Sequence, residues 1–206
     1  MHEPTVNEEL LTQHLAHGRP VLRVYEPREI CAVLGAAGKP EKDLILDNLA
    51  ADGIPWRFRR GGGGTVVLSP GQAVLALATK VDSPFRNREY ASEINSWFVE
   101  ALSSLGVAGV QPRGISDLAI GERKILGTSI YRTRLVLFYQ ASLLVTNDIS
   151  LFTRYLAEPS HVPDYRGKRG HEEFCTTLRR EGYAFEASDA VAALQRVAAV
   201  RLPGMR

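Results

Sequence analysis

Apolar residues recur at helical spacing over several stretches of the chain and run together or alternate, as in strands, over much of the rest. The first helical stretch is 7–17, where Leu10, Leu11 and Leu15 form a stripe, Asn7 stands as N-cap and Gly18 as the stop. A second helix is predicted over 41–51, ended by Asp52-Gly53. The longest helical pattern follows Ser83: Tyr90, Ile94, Trp97, Phe98, Ala101, Leu102 and Leu105 share a face, and Gly106 closes the run. Shorter helices are expected at 149–156 and from near His171 and Ser188.

Strands are expected at 21–25 and 54–58, and the segments 65–69 and 73–81 read as a pair turned by Pro70-Gly71. Residues 114–120, 123–131 and 134–145 read as a meander, with Gly121-Glu122 in a tight turn. These elements define an α/β chain of the α+β type, with mixed or antiparallel β-sheets flanked by helices. No repeat is evident, and Gly61 to Gly64 is the one low-complexity feature.

Composition narrows this picture only a little. The 206 residues show no shift that would mark a boundary, so a single domain over 1–206 is expected. With 25 Lys+Arg against 23 Asp+Glu there is no general basic field, which argues against nucleic acid as a partner and makes any anion site local. Two cysteines, Cys31 and Cys175, are too few for a disulfide framework and fit a reducing compartment. The N-terminal stretch carries acids where a secretion signal has basic residues, and no apolar run approaches the roughly 18 residues of a membrane span. A cytoplasmic location without a membrane partner is the expectation.

Two segments carry candidate chemistry. In Arg59-Arg60-Gly61-Gly62-Gly63-Gly64-Thr65-Val66, four glycines lose chain entropy on ordering and fill no core, so close approach of the backbone to another group is the natural compensation. Backbone N–H groups in such a loop form an anion-binding concavity, to which arginine adds permanent charge. The plain alternative is a flexible turn between solvated arginines. The run lacks the Lys-Ser/Thr of a P-loop and the long following helix of a dinucleotide fingerprint. In the second segment, Ser116 to Ser129, a turn at Gly121-Glu122 places Asp117 and Lys124 on adjacent strands, where a lysine and a carboxylate can converge on a substrate carboxylate, a phosphate or a metal ion. The plain alternative is a charged turn facing water.

Taken in order, NEELL, IPWRFRRGGGGTVVLSPG, SDLAIGERKILGTSIYR and LFYQASLLVTNDISLFTRYL resemble the catalytic domain of the lipoate-protein ligases, a family grouped with the biotin ligases and octanoyl transferases. The resemblance runs over nearly the whole chain, from Asn7 to Leu178. In the family pattern Gly62, Gly63 and Gly64 take the three glycines, Arg59 the second arginine and Thr65 the small residue before Val66. Phe58 stands where the first arginine is usual and Leu68 where a histidine often is. Lys124 and Gly127 match a lysine and a glycine of the ligases, and Asp117 the aspartate upstream. Ser142 takes a hydroxyl position that follows a histidine-glycine pair, here Gln140-Ala141.

The resemblance implies an ATP-dependent lipoate-protein ligase that forms lipoyl-AMP and passes the lipoyl group to a lysine of a lipoyl carrier protein. It makes Lys124 the catalytic residue, holding the acyl carboxylate and then the acyl-adenylate. It assigns substrate and nucleotide binding to Arg59, Gly62, Gly63, Gly64, Thr65, Val66, Asp117, Gly127, Thr128 and Ser142, with Asp117 also the candidate Mg²⁺ contact. ATP, Mg²⁺ and lipoate are the implied cofactors and substrate. The small accessory domain common in the family has no room after Arg206, so a separate accessory protein is expected.

Other readings are an ATP-independent octanoyl or lipoyl transferase, a module that only binds lipoyl-AMP or a carrier domain, and biotin ligation. The transferases use a cysteine thioester. Cys31 and Cys175 are both expected in the core, which favours the ligase. The five histidines show no metal-ligand spacing, and His161 and His171 are expected at the surface. The basic segment Asp164 to Arg169 is either a solvated loop or one that meets the nucleotide or an acidic carrier.

Overall fold

The computed structural model describes residues 6–159 and 163–205. A six-stranded sheet is built from β1 (Val21–Tyr25), β5 (Gln72–Lys80), β6 (Val110–Arg113), β7 (Asp117–Ile120), β8 (Arg123–Thr133) and β9 (Val136–Leu144). Its order is β1-β5-β9-β8-β7-β6, and every neighbouring pair is antiparallel. A smaller sheet, β3-β2-β4, joins β2 (Cys31–Leu34), β3 (Trp56–Phe58) and β4 (Val66–Leu68), with β2 and β3 parallel. The helices are α1 (Glu8–His17), α2 (Pro40–Asp43), α3 (Leu46–Ala51), α4 (Asn87–Ser104), α5 (Ser150–Tyr155), α6 (His171–Phe174) and α7 (Ala187–Arg201). The expected α+β class, with antiparallel and mixed sheets flanked by helices, is what the chain adopts.

The period of two along strands explains the layers. Leu137, Tyr139, Ala141 and Leu143 of β9, with Ala73, Leu75 and Leu77 of β5, face α4 and α7 and form the main core with Ile94, Trp97 and Phe98. The alternate residues point the other way. Phe138, Ala76 and Ala78 pack under Leu10 and Leu11 of α1, and Val74 packs against Val33 and Leu68 of the small sheet. Both faces of β5 and β9 are therefore covered, which is why their sequences read as nearly continuous apolar runs.

Several sequence expectations need correction. The helix expected over 41–51 is two short helices, because Leu44 is extended (φ −124°, ψ 149°) and bridges Leu156, while the Ile45 N–H donates to the Tyr155 carbonyl. Segments 65–69 and 73–81 do not pair with each other: β4 joins β2 in the small sheet and β5 joins β1 and β9 in the large one. Between them Gly71 turns with φ +86°, and a Cβ there would lie 2.5 Å from the Asn147 nitrogen. Strands β2 and β6 were not expected from the pattern. Asn7 does precede α1, but its side chain does not cap it; it turns inward, donating to the Tyr25 hydroxyl and to Gln140 Oε1, each at 3.1 Å.

Candidate functional site

The two sheets diverge around a cavity of about 520 Å³, within the range of small-molecule sites. Its floor is the face of β9 and β8 turned away from α4: Gln140, Ser142 and Leu144, with Ser129 and Gly127 opposite the first two. The glycine loop, β4 and Val33 form the other wall, and Phe152, Leu156, Phe174 and Cys175 close one side. Much of the lining is apolar, and its charged members are Arg59, Lys124 and Arg166 against a single carboxylate, Asp43.

Arg59 organises the glycine loop from beneath. It is 5% exposed, donates from Nε to Ser129 Oγ (2.9 Å) and from Nη1 to the Val33 carbonyl (3.2 Å), and its Nη2 reaches the carbonyls of Gly62 (2.9 Å) and Gly64 (2.7 Å). Burial pushes its pKa down to about 10, so the guanidinium is still charged near neutrality. Among the described residues no carboxylate pairs with it. This density of contact requires glycine: a Cβ on Gly35 would lie 2.3 Å from the Gly63 carbonyl oxygen, and one on Gly61 would lie 2.0 Å from Ser129 Oγ. Gly62 and Gly64 face open space instead.

Lys124 enters from the β7–β8 hairpin. Its Nζ is 2.8 Å from Asp117 Oδ1, so the convergence expected across the turn is present. A bulge between Leu118 and Ala119 shifts the register beside it. A Cβ on Gly127 would lie 3.0 Å from Lys124 Cε and Nζ, so this glycine is the space in which the lysine lies. Thr128 Oγ1 bonds Ser116 Oγ.

Of the residues singled out from sequence, Arg59, Gly62, Gly63, Gly64, Thr65, Val66, Lys124, Gly127, Thr128 and Ser142 all line this one cavity. Asp117 stands behind Lys124 instead, and both its oxygens are engaged, Oδ1 by the lysine and Oδ2 by the Tyr165 hydroxyl at 2.9 Å. Among the described residues no group of three His, Cys, Asp or Glu side chains could hold a metal ion.

His171 is not at the surface as expected. It is buried, lines the cavity with Nε2 3.4 Å from the Ala157 carbonyl oxygen, and burial followed by the charge of Arg166 lowers its pKa, so the ring is neutral near neutrality. His161 lies outside the described residues. Cys175 is buried, as expected, but also lines the cavity, where it bridges the backbone of Lys124. Burial raises its thiol pKa, keeping it protonated. Ser129, Gln140 and Asn7 were also missed, whereas Arg166, which lines the cavity, falls within the basic segment singled out from sequence. The signal for two of them was available: polar residues every second position inside an otherwise apolar strand, Gln140 and Ser142, mark a face that meets something other than core.

A sheet-bounded pocket whose apolar walls meet three cations and a glycine loop has the chemistry to receive an anion carrying an apolar chain. The lipoyl protein ligase A/B catalytic domain family matches residues 3–198, and the chain belongs to it. Among solved structures it is similar to a bi-partite lipoate protein ligase from Thermoplasma acidophilum, described with its E2 lipoyl domain. That match has a TM-score of 0.79 at 20% identity over 98% of this chain and 82% of that one. A lipoate-protein ligase A bound with ATP gives 0.78 at 20% identity, over 96% and 78%. LipL1 of P. falciparum in complex with lipoate gives 0.75 at 12% identity, over 98% and 61%. At these identities the likeness establishes the fold. Among the described residues no helix is long and apolar enough to cross a membrane.

Proposed function

We propose that the chain is a single catalytic domain acting as an ATP-dependent lipoate-protein ligase, in which Lys124 is the central catalytic group. The observation that carries this reading is the joining of the glycine loop and Lys124 in one cavity with an apolar wall and an excess of cations. In the first step an oxygen of the acyl carboxylate attacks the α-phosphorus of ATP and pyrophosphate leaves. Lys124 and the glycine-loop N–H groups offset the charge that builds up there. In the second step the neutral amine of a carrier lysine attacks the acyl carbonyl of the mixed anhydride, and AMP leaves with the bonding pair. Mg²⁺ enters with ATP as part of the substrate, and no step is routed through a protein-held metal. ATP bound to one relative and lipoate bound to another support both substrates. A carrier domain and a separate accessory protein are the partners that the Thermoplasma system suggests.

The decisive experiment is ATP–pyrophosphate exchange by the purified chain with lipoate, octanoate or biotin. Exchange that requires lipoate is the expected result; none with any acid would overturn the self-sufficient ligase. The cavity position of Cys175 gives the thioester transferase its one supporting observation, and Cys175→Ala separates the two. The variant is expected to keep exchange and carrier lipoylation within about threefold of the parent, because a protonated buried thiol is a poor nucleophile. Complete loss of acyl transfer, with retained folding, would favour the transferase.

A further inference from the structure

Segment 163–176 touches the lysine-bearing hairpin at more points than packing alone explains. Tyr165 donates to Asp117 Oδ2 (2.9 Å), Arg169 donates from Nη1 to the Glu122 carbonyl in the hairpin turn (2.9 Å), and the Thr176 N–H donates to the Lys124 carbonyl (2.9 Å). The segment is itself fastened to the cavity wall. The Tyr165 ring lies 5.0 Å from that of Phe174, the guanidiniums of Arg166 and Arg169 lie over Phe174 at 5.2 and 5.4 Å, and Arg166 pairs with Glu158 at 2.9 Å. Phe174 and Arg166 both line the cavity. Tyr165 also lies close to Gly114, where a Cβ would come 3.3 Å from Cε1.

The ring thus meets both the cavity wall and the loop before β7, with its hydroxyl directed at one carboxylate. Burial, and then the charge of Asp117, raises the pKa of the phenol, so it remains a donor throughout the working range. Asp117 has two oxygens and two partners, one on each. With one oxygen fixed by Tyr165, the other can meet Lys124 in one orientation only.

We propose that Tyr165 is a positioning residue for Lys124: it fixes the Asp117 carboxylate, which in turn holds the ammonium in the space left by Gly127. Because the same ring stacks on Phe174 at the cavity surface, contents of the cavity that press on Phe174 also act on the lysine. The functional consequence rests on the ligase reading; the positioning itself does not, and the test separates them. Tyr165→Phe keeps the ring and its stacking and removes only the hydroxyl. Lys124 acylation by N-acetoxysuccinimide, followed by peptide mass spectrometry, is expected to quicken about tenfold in this variant, on the scale of the weaker hydrogen bonds to a charged group. Tyr183→Phe, whose hydroxyl meets the Ala108 backbone away from the cavity, is expected to leave that rate unchanged. In lipoate-dependent exchange the variant is expected to lose about tenfold in kcat with the KM for ATP unchanged, the split of a misplaced group and not of a lost binding contact. An unchanged Lys124 acylation rate in Tyr165→Phe overturns the proposal. Absence of exchange in the parent chain overturns the ligase reading and leaves the acylation result to decide the positioning.

Discussion

Lys124→Ala is expected to lower lipoate-dependent ATP–pyrophosphate exchange by about a hundred- to a thousandfold, the range seen when one preorganised charge-stabilising donor is removed. The size of the effect follows from the surroundings of the lysine. It is one of three cations lining the cavity, and Arg59, the nearest to the glycine loop, gives all but one of its N–H donors to Ser129 and three backbone carbonyls. Lys124 is tied by one carboxylate only, leaving N–H donors for a ligand. Stability is expected to fall by about 1–3 kcal/mol, since the Lys124–Asp117 pair is largely shielded from water and Asp117 would keep only the Tyr165 hydroxyl. Lys124→Arg is not expected to restore activity, because the lysine lies where even a methyl group on Gly127 would crowd it, and a planar guanidinium is wider. Exchange and a melting curve on the same preparation check both statements. Parent-like exchange in Lys124→Ala would remove the lysine from the mechanism.

Arg59→Met is expected to be the most damaging single change in the glycine loop, lowering unfolding stability by about 2–4 kcal/mol and abolishing exchange. The methionine retains most of the stem but none of the donors. It leaves the Val33 carbonyl and Ser129 without their arginine partner inside the protein, and releases the Gly62 and Gly64 carbonyls that shape the loop. Two of those carbonyls can turn to water, which is why the expected loss stays below the sum of four bonds. A urea midpoint measured beside exchange tests both parts; a variant as stable as the parent would mean that something other than Arg59 holds the loop.

Sequence legibility varied with how local the determining physics is. Helix α4 could be read because its apolar stripe is long and self-consistent over 18 residues. The meander of β7, β8 and β9 could be read because each turn follows directly in sequence. The break at Leu44 could not, since the partner that extends it, Leu156, is remote in sequence and supplies no local signal. The same holds for β4 and β5, whose adjacency suggested a hairpin although each has a better partner elsewhere. In the site, glycines and the hairpin lysine announce themselves by composition and spacing. His171 and Asn7 do not: each is an ordinary polar residue in a polar stretch until tertiary packing buries it.

The bond between Arg59 and Ser129 spans 70 positions of sequence, and this has a bearing on biosynthesis. As the chain leaves the ribosome, the glycine loop appears long before the strand that completes its support. A nascent chain that has reached only α4 has glycines and arginines in water, with neither the β8–β9 floor nor the hairpin lysine. Contacts of such separation form late and together. On the proposed ligase reading, fragments and misfolded copies would therefore be inert, not leaky: with no enclosed chamber, they could not generate a reactive mixed anhydride and shed it onto bystander amines.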